Sequence, residues 1–265
     1  MVKVAIAGAS GGLGAIILSA IVDTRNNEVV VLSRSPNPSL TAKGVDVRLG
    51  SPTPTMHPSP PPSTDHEMSE SQLAIVAAAK EVGVERFAPS EYAIEDYRDW
   101  DLYAGKYRIF MDTLGTGTPK GETEALGGLR PWTFIINMKA ETADLPGDWN
   151  SKLTLTRTQD IGKLVAAALD PDRWEEEMGM NVTKKKMLVK ENTEEDVKKM
   201  IQEVEGARFY NQVRLSIAQG EGVVESTLNK KAPHIKPWIV EEYLERYWSG
   251  VELGEAAWEE GNIIM

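Results

Sequence analysis

Val2-Lys3-Val4-Ala5-Ile6-Ala7-Gly8-Ala9-Ser10-Gly11-Gly12-Leu13-Gly14 decides the fold of this chain. Residues 2–7 read as a short buried strand. A glycine turn follows at once, and the apolar run from Ala15 to Val22 continues as a helix. Strand, glycine turn and helix together form a phosphate cradle. The glycines let the backbone approach a pyrophosphate, and the helix start offers unpaired N–H groups at the positive end of its dipole. Glycines at 8, 11 and 14 give a G-x-x-G-x-x-G spacing. The candidate cofactor-binding residues of the turn are Gly8, Ser10, Gly11, Gly12, Leu13 and Gly14. A glycine motif gains weight from a strand before it, a helix after it and a second strand at the right distance.

That second strand is read over Glu28–Ser33, from the β-branched run Val29-Val30-Val31. The residue at its end selects the dinucleotide. A carboxylate there would hold the ribose hydroxyls and repel a 2′-phosphate, but the chain has Ser33-Arg34-Ser35. A guanidinium pairs bidentately with a phosphate, so Arg34 points to NADP(H). The alternative for Arg34 is an exposed loop arginine with no ligand. Lys43 adds a second nearby charge or is a solvated surface lysine.

The chain has 265 residues, of which 41% are hydrophobic, enough for a sizeable core in one domain. It contains no cysteine, which excludes disulfides, thiolate catalysis and cysteine-bound metals. His57, His66 and His234 show no ligand spacing, so no metal site is expected. A net charge of −11 argues against nucleic acid as a partner. A strand beginning at the second residue leaves no room for a signal peptide, and no apolar run reaches a membrane span. The expectation is a cytoplasmic protein, monomeric or homodimeric.

Strand and helix alternate through the first part, continuing to an apolar stretch at Val45–Leu49. This predicts a doubly wound parallel α/β sheet of Rossmann type. Six prolines between Ser51 and Thr64 then break the pattern, and a proline-rich loop is expected over 51–68. A helix is expected over Ser71–Val82 with Leu73, Val76 and Ala77 inward. A strand at Val84–Pro89 should carry Ser90 and Glu91 to the ligand-binding sheet edge, making Ser90 a cofactor candidate. Further strands are read at Trp132–Met138 and Lys152–Arg157, and helices at Gln159–Leu169, from a capping box at Thr193, and over Pro237–Trp248. The chain is divided into a nucleotide-binding part over about 1–135 and a small substrate lobe over about 136–265. Trp132, Phe134, Met138 and Trp149 either line an aromatic pocket or belong to the core.

With these motifs placed, the chain resembles the NmrA-like and isoflavone-reductase-like group of atypical short-chain dehydrogenases, especially its fungal members. The matching stretches include VKVAIAGASGGLG (2–14), VVVLSRS (29–35), RFAPSEYA (86–93), DLYAGK (101–106), FMDTLGTGTPKG (110–121), ALGGLRP (125–131), TRTQDIGKLVAAAL (156–169) and EEYLERYW (241–248). The resemblance implies an NADPH-dependent reductase of a small, often aromatic, organic compound. It also implies a lysine as proton donor, at the position of Lys106. A lysine ammonium can give a proton to the charge that develops during hydride transfer, once burial or a nearby cation lowers its pKa.

Two departures from the group's pattern accompany the resemblance. The proline-rich stretch stands where a helix and central strand are expected, and Tyr107–Phe110 follows Lys106 where a long helix should begin. An abbreviated sheet is therefore expected, with the first strand beside 84–89 or the sheet rearranged. The same losses support an alternative function, a non-catalytic NADP(H)-binding sensor that acts on a regulatory protein partner.

Overall fold

The computed structural model describes residues 1–50, 65–90, 92, 109–144, 152–170, 188–189, 195, 197–199, 208–220, 222–223 and 226–255. Its N-terminal unit is a parallel sheet in the order β1-β2-β3, formed by β1 (Val2–Ala7), β2 (Asn27–Ser33) and β3 (Asp46–Leu49). Val4 lies beside Val29, and Val31 beside Val47. The crossovers are α1 (Gly12–Thr24) and the short α2 (Pro38–Ala42). α1 stops at Arg25, whose left-handed backbone (φ 55°) brings its N–H to the carbonyl of Val22. α2 starts on the side chain of Asn37, which accepts from the N–H of Leu40 at 3.2 Å, with Pro38 in the first turn.

β1 is not the buried strand that its composition suggests. Val2, Val4 and Ile6 are half-buried, while Lys3, Ala5 and Ala7 are exposed. One face of the sheet is covered by α1 and by α5 (Thr158–Ala167), where Ile17, Ile21, Ala166 and Leu169 pack against Val4 and Ile6. Gly162 permits that close approach, because a Cβ there would lie 3.0 Å from Ile16 Cγ2 and 3.2 Å from its carbonyl oxygen. The opposite face carries Leu32, which is 43% exposed. Parallel sheets are ordinarily covered on both sides, and this one-sided cover accounts for the alternation along β1.

α3 (Asp65–Glu81) takes in residues 65–68 of the expected loop, and residues 51–64 lie outside the described set. Its expected inward stripe is turned to solvent: Leu73 is 63% and Val76 38% exposed, and Ala77 is exposed too. The strand expected at 84–89 does not form. The backbone N–H of Val84 bonds the carbonyl of Ala79, the N–H of Ser90 bonds the side chain of Gln72, and Arg86 reaches the carbonyl of Leu169. These bonds turn the segment back along α3 instead of into a ladder with β1, so the sheet is rearranged.

The second part holds the largest core. β4 (Ile109–Phe110) pairs parallel with β7 (Leu155–Thr156). β5 (Ile136–Asn137) pairs antiparallel with β6 (Thr142–Ala143), which runs parallel to β8 (Leu188–Val189). The strands expected at 132–138 and 152–157 are therefore real but short. β5 ends because Asn137 caps the N–H of Ala140 and Glu141 adopts a left-handed backbone (φ 52°). Beyond them lie α4 (Glu122–Ala125), α6 (Arg208–Ala218), α7 (Thr227–Lys231) and α8 (Val240–Trp248). Met111, Leu114, Leu155, Val213, Ile217 and Tyr243 are central to the cluster. Phe134 and Met138 pack against it and so belong to the core, while Trp132, 37% exposed, lies over Phe134 with ring centroids 4.4 Å apart. Trp149, Thr193 and most of the helix expected to start there lie outside the described residues.

α8 is fixed by its aromatic tips. Tyr243 donates to the carbonyl of Ala125 at 2.8 Å, and the Trp248 indole N–H to that of Leu114 at 2.9 Å. The contrast in burial predicts the response to substitution. Leu164→Ala, at a site with 0% exposure, should cost about 2–5 kcal/mol in urea unfolding. Leu73→Lys should stay within about 0.5 kcal/mol of wild type.

Candidate functional site

The glycine turn has the geometry of an anion cradle. Gly8 (φ +80°) and Gly12 (φ +54°) occupy backbone conformations that disfavour a side chain. Gly14 serves close packing: a Cβ there would lie 2.3 Å from the carbonyl oxygen of Gly8. Gly11 is fully extended and opens onto free space. The N–H groups of Gly12, Leu13 and Gly14 open α1 and have no capping side chain. Gly8, Ser10 and Gly11 are exposed, and Leu13 is half-buried. The cradle therefore has both donors and room for a diphosphate, which is the fit a dinucleotide requires.

Arg34 follows the end of β2 and is exposed, and the turn that presents it is tied by Ser33 Oγ to the carbonyl of Ser35 at 2.7 Å. Lys43 is exposed at the end of α2. Ser90 is exposed and anchored to α3 through Gln72, so it does not stand at the end of a strand as the sequence suggested. Lys106, Tyr103 and Glu91 lie outside the described residues.

The structure adds residues that the sequence reading did not single out. The Leu126–Gly127–Gly128 loop leads from α4 to the cradle: a Cβ on Gly128 would lie 3.7 Å from Ile16 Cδ1 and 3.8 Å from Gly12 Cα. Gly127 sits against a buried knot, where a Cβ would collide with Asp112 Oδ1, Thr158 Oγ1 and Gln159 Nε2. In that knot Asp112, with no exposed surface, accepts from the N–H of Thr158 at 2.8 Å and from its hydroxyl at 2.9 Å. Burial pushes the Asp112 carboxyl up to about 6, against the pull of the Thr158 donors and the charge of Arg157. Arg157 donates through Nε to Gln159 Oε1 at 3.1 Å and lies over the Trp238 ring at 4.0 Å. Asp160 accepts from Lys163 and from the N–H of Trp238. Cradle, glycine loop and α5 start thus adjoin one another, with Gly127, Thr158 and Asp160 buried at the junction. The motif TRTQDIG contained Arg157, Thr158 and Asp160, but no spacing rule marks an α5 start as facing a cradle 140 residues earlier.

No protein-family model matches the chain. The oxidoreductase BOA1 of Botryotinia fuckeliana (strain B05.10) is 28% identical over 212 residues, 66% of this chain and 69% of that protein. Among solved structures, one from the group of pinoresinol-lariciresinol and phenylcoumaran benzylic ether reductases superposes with a TM-score of 0.64 at 15% identity, covering 93% of this chain and 98% of the other. The apo form of AtPrR2 gives 0.60 at 19% identity, covering 92% and 98%. An isoflavone reductase gives 0.57 at 18% identity, also covering 92% and 98%.

The chain has the isoflavone-reductase-like fold. The resemblance read from its motifs, and the α/β class with parallel sheets, are borne out by these neighbours. Within this isoflavone-reductase-like fold the strands fall into three separate sheets among the described residues, β1-β2-β3, β4-β7 and β5-β6-β8, each with a parallel pair. No helix among those residues is long and apolar enough to cross a membrane.

Two tests address this geometry. Gly14→Ala should lower stability by about 1–3 kcal/mol through overpacking against Gly8, whereas Gly11→Ala, in open space, should leave chemical unfolding within about 0.5 kcal/mol. Asp112 titrates higher in the folded chain than in the unfolded one. Its contribution is therefore full below pH 4 and lost as the pH rises through about 6. Asp112→Asn escapes that loss. Its stability relative to wild type should rise by about 2–3 kcal/mol between pH 4 and pH 7.5, as a two-unit shift requires.

Proposed function

We propose that the chain is an NADP(H)-dependent reductase of a small, aromatic organic compound. The observation that carries this reading is the cradle: a glycine turn with free donors at the start of α1, followed at the end of β2 by exposed Arg34 and no acid. The oxidoreductase relative supports it, as do two kindred complexes: leucoanthocyanidin reductase from Vitis vinifera with NADPH, and AtPrR2 with NADP+ and (+)-pinoresinol. In this reading Gly8, Ser10, Gly11, Gly12, Leu13 and Gly14 hold the diphosphate, and Arg34 reads the 2′-phosphate with help from Lys43. Ser90 borders the cofactor and Lys106 supplies the proton.

The bound dinucleotide would supply hydride. The chain's own part is to fix it through backbone N–H groups, to discriminate at the 2′ position, and to neutralise charge that develops on the substrate. The nucleotide-binding part spans about 1–135, with a substrate lobe after it, in a soluble, cytoplasmic protein that is a monomer or homodimer. A second reading, an NADP(H) sensor that controls a protein partner, is favoured by the division of the strands into three separate sheets among the described residues.

Calorimetry with NADP+ and NAD+ tests the cofactor assignment. NADP+ should bind at least tenfold tighter, and Arg34→Ala should remove most of that preference, as the loss of a charge-assisted phosphate contact implies. Equal binding of the two cofactors would refute the role of Arg34. NADPH oxidation with aromatic carbonyl compounds separates the two readings. Turnover that falls by at least about a hundredfold in Lys106→Ala supports the reductase, and tight binding without turnover supports the sensor.

A further inference from the structure

Arg157 is a half-buried cation in a strongly acidic protein, and among the described residues its terminal nitrogens have no hydrogen-bond partner. Its plane is held on both counts that matter: Nε is committed to Gln159 Oε1, and the guanidinium rests on the Trp238 ring. Asp112 and Glu124 feel its charge, Asp160 shares Trp238 with it, and each of the three is satisfied elsewhere. Asp112 takes both donors of Thr158. Asp160 takes Lys163 and the Trp238 N–H. Glu124 takes Arg246 and the hydroxyl of Tyr247. Structural arginines at such density of acid ordinarily pair with one of them, because an arginine fork matches a carboxylate bidentately. Here the fork is held at Nε and on one face and is half-buried, and none of the described residues bonds its Nη atoms.

Its position connects it to the cradle. Gln159, which holds Nε, also abuts Gly127, and the adjoining Gly128 touches Gly12 at the start of α1. We infer that Arg157, braced by Gln159 and Trp238, is the receptor for an anionic oxygen of the substrate, a carboxylate carried on a planar unsaturated or aromatic body. The inference rests on the reductase reading for its setting, and it narrows the substrate class from neutral aromatic compounds to those that carry a carboxylate. A planar acid suits the site because the guanidinium binds the carboxylate edge-on, in its own plane, while Trp238 occupies one of its faces.

The test compares trans-cinnamate with trans-cinnamamide, which differ at the carboxylate alone. Both are titrated into the full chain by calorimetry, with and without saturating NADP+. Cinnamate should bind at least tenfold tighter than the amide. Arg157→Gln should abolish the preference by bringing cinnamate down to the level of the amide, and Arg157→Lys should restore part of it. Thermal melting of each variant confirms folding. Equal binding of acid and amide by wild type, no binding of either, or a preference that survives Arg157→Gln overturns the inference. The readout needs no turnover. Reduction of neutral carbonyl compounds without a carboxylate preference would leave the reductase standing and remove the receptor. A carboxylate preference without any NADPH oxidation would do the reverse.

Discussion

The buried bond pair between Asp112 and Thr158 ties together the parts on which the site depends. Asp112 belongs to the helical turn after β4, and Thr158 opens α5. The Thr158 hydroxyl also donates within reach of the Gly127 carbonyl at 3.1 Å, so the glycine loop joins the same knot. α5 then lies along α1 through Gly162, and α1 carries the cradle. One carboxylate thus sets the height of α5 relative to β4, and α5 in turn supports the helix that follows the glycine turn. The arrangement is costly for a charge, which is why the carboxyl titrates high, but both of its oxygens find donors and the site tolerates burial.

The start of the chain was legible because its signals are local. A β-branched run, a turn that demands glycine and an apolar helix each follow from a few adjacent residues, and β1, α1 and β2 appear close to where they were read. Val84–Pro89 was misread for the same reason. Its composition suits a strand, yet a strand exists only when a partner offers a ladder, and its backbone bonds went to α3. Leu73 and Val76 form a proper helical stripe, but a stripe is buried only if another surface arrives to cover it. Arg157 was invisible on similar grounds. It looked like one more basic residue in a motif, and its character comes from Trp238 and from three acids that are occupied elsewhere.

The N-terminal sheet shows what covers a parallel sheet and what does not. α1 and α5 shield one side, so Val31 is buried while its neighbour Leu32 is not. The deeper core has moved into the second part, where Met111, Leu164, Val197, Ile217 and Tyr243 retain no exposed surface. The cradle is therefore carried by a thin layer, whose rigidity is borrowed from α5 and the elements behind it.

The aromatic anchors of α8 also bear on how the chain reaches this state. Tyr243 and Trp248 bond carbonyls 118 and 134 residues earlier. Closing the main core therefore means bringing together segments from the middle and the far end of the polypeptide, a pairing of high sequence separation that slows folding. During synthesis the strands β1 to β3 emerge long before α8 exists, and α5, their cover, must wait for most of the chain. The glycine turn between β1 and α1 is thus made well before α5 and is stabilised late.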